Sequence, residues 1–169
     1  MSCSPVRGFA EHWWRCLKGW SRRWPPGYEP SGARQQAGEQ AVDKLIGAAL
    51  FARENARPSY SHFKVGAALE EESGRIHTGC NVENATYGLT VCAERVAVFK
   101  ALSEGATKFR RIVVAAEGTR LASPCGPCRQ ILWEFCGNIE VILVNLRGDA
   151  RRTMLADLLP DPFDDKVFR

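Results

Sequence analysis

Three thiols and a carboxylate are the groups in this chain whose types and spacing describe chemistry: Cys92 and Glu94 in one short segment, Cys125 and Cys128 in another some thirty positions later. A Cys-x-x-Cys pair delivers two thiolates to one ion from a single turn. A third thiolate from another element then leaves the fourth tetrahedral position of a zinc ion to water. An open position marks a catalytic metal rather than a structural one. Water held there is acidified, so hydroxide is accessible near neutral pH, and a neighbouring carboxylate can take the proton and hand it on. Glu94, two residues after Cys92, stands close to such an ion without having to be a ligand. The alternative is a closed structural site whose fourth thiolate comes from Cys80 or Cys136. A lone Cys-x-x-Cys would also suit a redox site; the added Cys-Ala-Glu makes the catalytic reading specific.

Three thiolates on a dication leave a formal charge of about −1, because thiol ligands bind deprotonated. That charge would blunt the ion as a Lewis acid. If Cys92 and the Cys125/Cys128 pair each open a helix, two sets of unpaired backbone N–H groups point at the sulfurs and offset it. Arg95 adds a cation, and is expected to tune the zinc without touching it.

The elements that must position these groups can be read around them. Val42, Leu45, Ile46, Ala49 and Leu50 recur at helical spacing and predict an amphipathic helix over residues 39–55, with Pro58 ending it. Residues 64–71 and 75–81 read as strands about a hairpin turn at Ser73-Gly74. Strands over 110–116 and 140–145 alternate with helices over about 92–104 and 125–135, and Thr153 is expected to cap a short last helix ending before Pro160. Helices following strands predict an α/β sandwich with both cysteine segments at helix starts.

Four ordered motifs carry a family resemblance. Tyr60-Ser61-His62-Phe63, Gly79-Cys80-Asn81-Val82-Glu83-Asn84-Ala85, Cys92-Ala93-Glu94-Arg95 and Ser123-Pro124-Cys125-Gly126-Pro127-Cys128-Arg129-Gln130 together resemble the homotetrameric zinc-dependent cytidine deaminases, over about residues 39–163. The resemblance implies a three-layer α-β-α sandwich around a mixed five-stranded sheet. It implies one Zn2+ per subunit on Cys92, Cys125 and Cys128, with Glu94 as proton shuttle. It also implies that Asn81 and Glu83 bind the ribose hydroxyls, that Phe63 faces the pyrimidine ring, and that backbone near Ala93 and Ser123 meets the exocyclic amine and base edge. Ala85 and Tyr87 would reach a neighbouring subunit's site, and Phe163 would close over that site. The activity implied is hydrolysis of cytidine and 2′-deoxycytidine to uridine and 2′-deoxyuridine plus ammonia, a step of pyrimidine salvage. In it hydroxide generated at zinc attacks C4 while Glu94 protonates ring N3. A site that pairs a sugar hydroxyl strongly penalises ligands lacking it. Thr86, where small residues are usual, and Lys64 depart from the family pattern and leave fine substrate preference open. Each role has a plainer counterpart: Asn81 and Glu83 ending a strand and capping a turn, Phe63 and Phe163 simply packed.

Composition is compatible with one catalytic domain, residues 38–169, in a chain of 169 residues. Seven cysteines, three of them claimed by metal, do not make a disulfide framework and argue for a reducing compartment, the cytoplasm. Cys136 is expected to be buried, and Cys80 near the site with it. No stretch reaches the roughly twenty apolar residues of a membrane span. The net charge of +4 is misleading. Up to Arg34 there are six basic residues (Arg7, Arg15, Lys18, Arg22, Arg23, Arg34) against Glu11 and Glu29, a surplus equal to that of the whole chain. The remainder is balanced, which argues against a phosphate-binding track and a polynucleotide substrate. The extension, residues 1–37, also holds Trp13, Trp14, Trp20 and Trp24 among its basic residues. Such a mixture stacks on single-stranded bases, sits in a membrane interface or serves as a transit peptide; a disordered or weakly docked tail is the expectation adopted. Three competing functions remain: a deaminase of a blasticidin-type nucleoside antibiotic, a deaminase of polynucleotide bases, and a zinc-stabilised nucleoside-binding module.

Overall fold

The apolar runs of the sequence fold as a single sheet. The computed structural model describes residues 32–164, the side chains of 32–37 excepted. The expectations for the tryptophan- and arginine-bearing stretch lie outside those residues. The elements are α1 (Gly32–Glu54), β1 (Val65–Glu71), β2 (Ile76–Cys80), a 3-10 turn at Tyr87–Leu89, α2 (Ala93–Ser103), β3 (Phe109–Ala116), α3 (Gly126–Cys136), β4 (Glu140–Asn145), β5 (Ala150–Met154) and α4 (Leu155–Leu158). The chain divides into two compact units, Met1–Asp43 and Lys44–Arg169. Of the first, the described part is the beginning of α1; the second holds the sheet and every candidate site residue. No helix among the described residues is long and apolar enough to cross a membrane.

The sheet order is β2-β1-β3-β4-β5. β1 pairs antiparallel with β2 and with β3, β3 pairs parallel with β4, and β4 antiparallel with β5. β2, β3 and β4 therefore run the same way, and α2 and α3 are the connections that follow β2 and β3. Both helices begin beyond the carboxyl ends of those strands, the edge at which open α/β sheets bind ligands. Register places Cys80, Val65, Ala116 and Asn145 along this edge.

Alternation divides the core into two faces. Ala67, Leu69, Ile112, Val114, Val141 and Leu143 pack with Ala93, Ala97 and Val98 of α2 and Leu132 of α3 in one apolar cluster. The residues between them, among them Ala68, Val113, Ala115 and Ile142, are buried on the opposite face. There α1 lies against β1: a Cβ on Gly66 would come within 2.1 Å of the Ala49 carbonyl oxygen. Gly79 does the same for α2, where a Cβ would meet the Ala93 carbonyl oxygen at 2.4 Å and the Ala97 nitrogen at 2.5 Å. Helices on both faces make the predicted three-layer α-β-α sandwich around a mixed five-stranded sheet. Gly79→Ala forces backbone against backbone beside Cys92 and Glu94, and is expected to destabilise the fold by about 3 kcal/mol, read from urea unfolding.

The predicted elements form, with differences at their ends. α1 starts at Gly32 rather than residue 39; the Gly-, Gln- and Ala-rich stretch before Val42 carries no apolar period from which that start could be located. Val42, Leu45, Ile46 and Ala49 are buried on it, and the Ser73-Gly74 turn closes with Gly74 N–H donating to Glu71 O at 2.9 Å. Thr153 is not the cap of the last helix. It lies in β5, and Met154 occupies the cap position of α4; both donate to Asp157 Oδ2, Thr153 Oγ1 at 3.0 Å and Met154 N–H at 3.1 Å. Cys136 and Cys80 are half-buried, not buried, since Cys136 ends α3 and Cys80 ends β2 where the layers open.

Candidate metal centre and substrate cleft

Cys92 and Cys125 occupy the cap positions immediately before α2 and α3, each with extended backbone, and Pro127 sits in the first turn of α3 where a missing N–H is tolerated. Cys128 lies in the first turn of α3 and is fully buried. The three Sγ atoms lie within 4.8 Å of one another, with Cys92 to Cys125 at 3.8 Å and Cys125 to Cys128 at 3.3 Å. Tetrahedral sulfurs at ordinary zinc–sulfur length stand about 3.8 Å apart, so the trio fits one zinc ion with only small adjustment. Cys80 and Cys136 are not part of the cluster. Among the described residues the cluster offers three thiols that could hold one metal ion.

Glu94 is 5 % exposed, and burial pushes its carboxyl up to about 7 against the pull of its own backbone N–H. A carboxyl poised there can both give and take a proton near neutral pH. The Cys92 thiol is drawn down to about 5 by its hydrogen bond with Cys128, helped by Arg95 and opposed by burial. Cys128 is pushed up by that same bond and by burial. The cluster thus keeps protons that zinc would displace, which makes metal retention pH-dependent. Zinc is expected to stay bound near neutral pH and to be lost progressively as pH falls and protons compete for the thiolates, followed by metal analysis after dialysis. Arg95 reaches the ligands from behind: one guanidinium nitrogen donates to Thr90 O at 2.8 Å and lies 3.7 Å from Cys92 Sγ.

Asn81 and Glu83 are tied to this centre through backbone pairing. Val82 exchanges hydrogen bonds with Val91, so the 81–83 segment is laced to the residue just before Cys92. The Asn81 amide holds backbone: Oδ1 accepts from Val65 N–H at 2.8 Å and Nδ2 donates to Phe63 O at 2.9 Å, which fixes the entry of β1 and the position of Phe63. Glu83 accepts from Tyr60 N–H at 2.7 Å, from Ser61 N–H at 3.0 Å and from the Ser61 hydroxyl. These bonds hold its carboxyl below the usual range, the Ser61 hydroxyl contributing most. Tyr60 and Ser61, next to Phe63 in the same motif, thus hold the Glu83 carboxylate in place, contacts that spacing alone does not show.

An open cleft of about 410 Å³ is lined by Tyr60, Ser61, Glu83, Tyr87 and Thr90. Its lining includes Glu83 and none of the three cysteines. Tyr87 meets Tyr60 edge to face across it, with ring centroids 5.8 Å apart. Phe63, Ala85, Tyr87 and Phe163 are exposed and Ala93 is buried in the first turn of α2. Phe163 stands apart from this cleft, bonded through its backbone to Gln130 of α3.

Residues 39–144 match the family model of the cytidine and deoxycytidylate deaminase zinc-binding region. A cytidine deaminase of Sporosarcina psychrophila is 50% identical over 123 residues, covering 72% of this chain and 90% of the relative. A probable cytidine deaminase of Dictyostelium discoideum is 44% identical over 129 residues, 76% of this chain and 87% of the relative. Among solved structures, cytidine deaminase from Burkholderia pseudomallei superposes with a TM-score of 0.70 at 50% identity, covering 72% of this chain and 98% of that one.

Proposed function

The chain belongs to the zinc-dependent cytidine and deoxycytidylate deaminase family, and from that premise we propose that it hydrolyses free cytidine and 2′-deoxycytidine to uridine and 2′-deoxyuridine, releasing ammonia. The observation that carries this reading is the juxtaposition of three thiols within 4.8 Å with a buried carboxyl of raised pKa. Cys92, Cys125 and Cys128 would hold the zinc, which when bound supplies water acidic enough to react near neutral pH.

Glu94 does the proton work. It takes one proton from water and gives it to ring N3 as the oxygen adds to C4, then takes the second proton from the added hydroxyl and passes it to the amine, which leaves as ammonia. Its burial keeps bulk water from competing for that proton. Asn81 and Glu83 bind the ribose, and Phe63 faces the pyrimidine. The bonds from Tyr60 and Ser61 that keep Glu83 ionised support an acceptor role toward a hydroxyl, and the second Nδ2 hydrogen of Asn81 serves as donor. The Ala93 backbone meets the base edge. Arg95 offsets the charge of the thiolates; Arg95→Gln is expected to keep zinc while lowering turnover about tenfold, and unchanged turnover would end that role.

Val82, Tyr87 and Leu89, in the segment leading to Cys92, and Phe99 on α2 are large apolar side chains left exposed. They support assembly into a homotetramer in which Ala85, Tyr87 and Phe163 meet a neighbouring subunit, a state that sedimentation measures. The catalytic domain is residues 38–169, and removal of the chain before Gln35 is expected to leave activity unchanged. A reducing cytoplasm and a place in pyrimidine salvage suit free thiols and a nucleoside substrate. The reading is tested by ammonia release from cytidine, deoxycytidine, a cytosine oligonucleotide and blasticidin S, with and without a chelator. Both nucleosides are expected to react and the chelator to stop them; release from the oligonucleotide or blasticidin S alone would overturn the assignment.

A further inference from the structure

Directly after Cys128, Arg129 and Gln130 make a set of contacts that the chemistry above does not use. Arg129 engages all three guanidinium nitrogens: Nε donates to Pro124 O at 2.7 Å, Nη2 to Ser123 Oγ at 3.0 Å and Nη1 to Leu158 O at 2.8 Å. Gln130 forms a reciprocal pair with the Phe163 backbone, Nε2 donating to its carbonyl oxygen at 2.5 Å and Oε1 accepting from its N–H at 3.2 Å. Their partners come from two places. Ser123 and Pro124 lead the chain into Cys125, whereas Leu158 and Phe163 belong to the segment that follows β5.

The three cysteines are not held equally. Cys128 is fully buried inside α3. Cys92 follows a residue paired to Val82 on both its N–H and C=O. Cys125 is exposed and precedes the first turn of α3, at the end of a connection without helix or strand structure from Glu117 onward. What fixes the approach to Cys125 is the Arg129 fork on Ser123 and Pro124, and the third arm of that fork is Leu158.

We propose that Arg129 is a positioning residue for Cys125, and that residues 158–163, gripped by Arg129 and Gln130, act as a strap on the zinc loop, so that metal retention depends on residues that never touch the metal. The inference rests on the reading of the three cysteines as zinc ligands. A planar guanidinium is required for the role, because a lysine ammonium is a point charge and cannot span three acceptors set at fixed angles.

The test uses the full zinc-loaded chain and follows zinc transfer to a chromophoric chelator, well below the unfolding temperature. The release rate is expected to rise about tenfold to a hundredfold in Arg129→Lys, the range found when groups supporting metal ligands are removed. Ser123→Ala, which deletes one acceptor outside any helix, and Gln130→Ala, which frees the strap alone, are expected to speed release by smaller factors. Urea midpoints of the metal-free variants separate positioning from general stability: faster release without a matching shift in midpoint is the signature of the strap. Release at the parental rate in Arg129→Lys and in Gln130→Ala overturns the proposal. A parental chain that takes up no zinc overturns the ligand reading instead.

Discussion

Glu94→Gln is expected to leave one zinc per chain in place and to lower kcat for cytidine by about ten-thousand-fold, the upper end of what a positioned acid-base group contributes. The substitution keeps size and hydrogen-bonding capacity in a position only 5 % exposed, so the packing of α2 on the sheet is preserved. What is removed is the ability to accept and release a proton, which the reaction needs at N3 and again at the leaving amine. The carboxyl sits at about 7 through burial, and glutamine has no counterpart to that titration. The variant also separates two kinds of zinc site. A closed structural metal would be indifferent to the change, and full activity with full metal content would refute the role given to Glu94.

Cys128→Ser is expected to lose the metal and the activity together. Serine fills nearly the same volume, but its hydroxyl does not ionise in this range, and two thiolates hold zinc far less well than three. Cys128 is the fully buried member of the trio, so a water cannot readily take its place as ligand. Zinc content and turnover should fall in parallel after dialysis, while far-ultraviolet circular dichroism stays that of the parent. Cys80→Ser and Cys136→Ser are the controls, because neither thiol joins the cluster. Loss of zinc in either would revive a closed four-thiolate site.

The sequence carried most of the metal centre because its information is local. Helix starts at Cys92 and Cys125 follow from the residues flanking them, and helical geometry then places Glu94 and Cys128 within a turn of the ligands. β1, β3 and β4 were legible as apolar runs, and the β-hairpin from its Ser-Gly turn. β5 was not, since Ala150–Met154 is an edge strand with two arginines and little burial, and it shows no alternation to read. Residues acting across long separations were equally hidden. Glu83 bonds to Tyr60 and Ser61 more than twenty positions away, Arg129 bonds to Leu158, and Gly66 and Gly79 are required by helix backbones that spacing alone does not locate. Asn81 showed in the sequence as a polar residue fit for a hydroxyl; that its amide also anchors Phe63 and Val65 emerges only once the strands are aligned.

The most direct measurement is the conversion of cytidine by the zinc-loaded chain in oxygen-18 water, with the product analysed by mass spectrometry. The expected result is uridine carrying one heavy oxygen together with ammonia in equal amount, both abolished by removing the metal. No uridine from cytidine or deoxycytidine, or uridine free of solvent oxygen, would contradict hydrolytic deamination at this site.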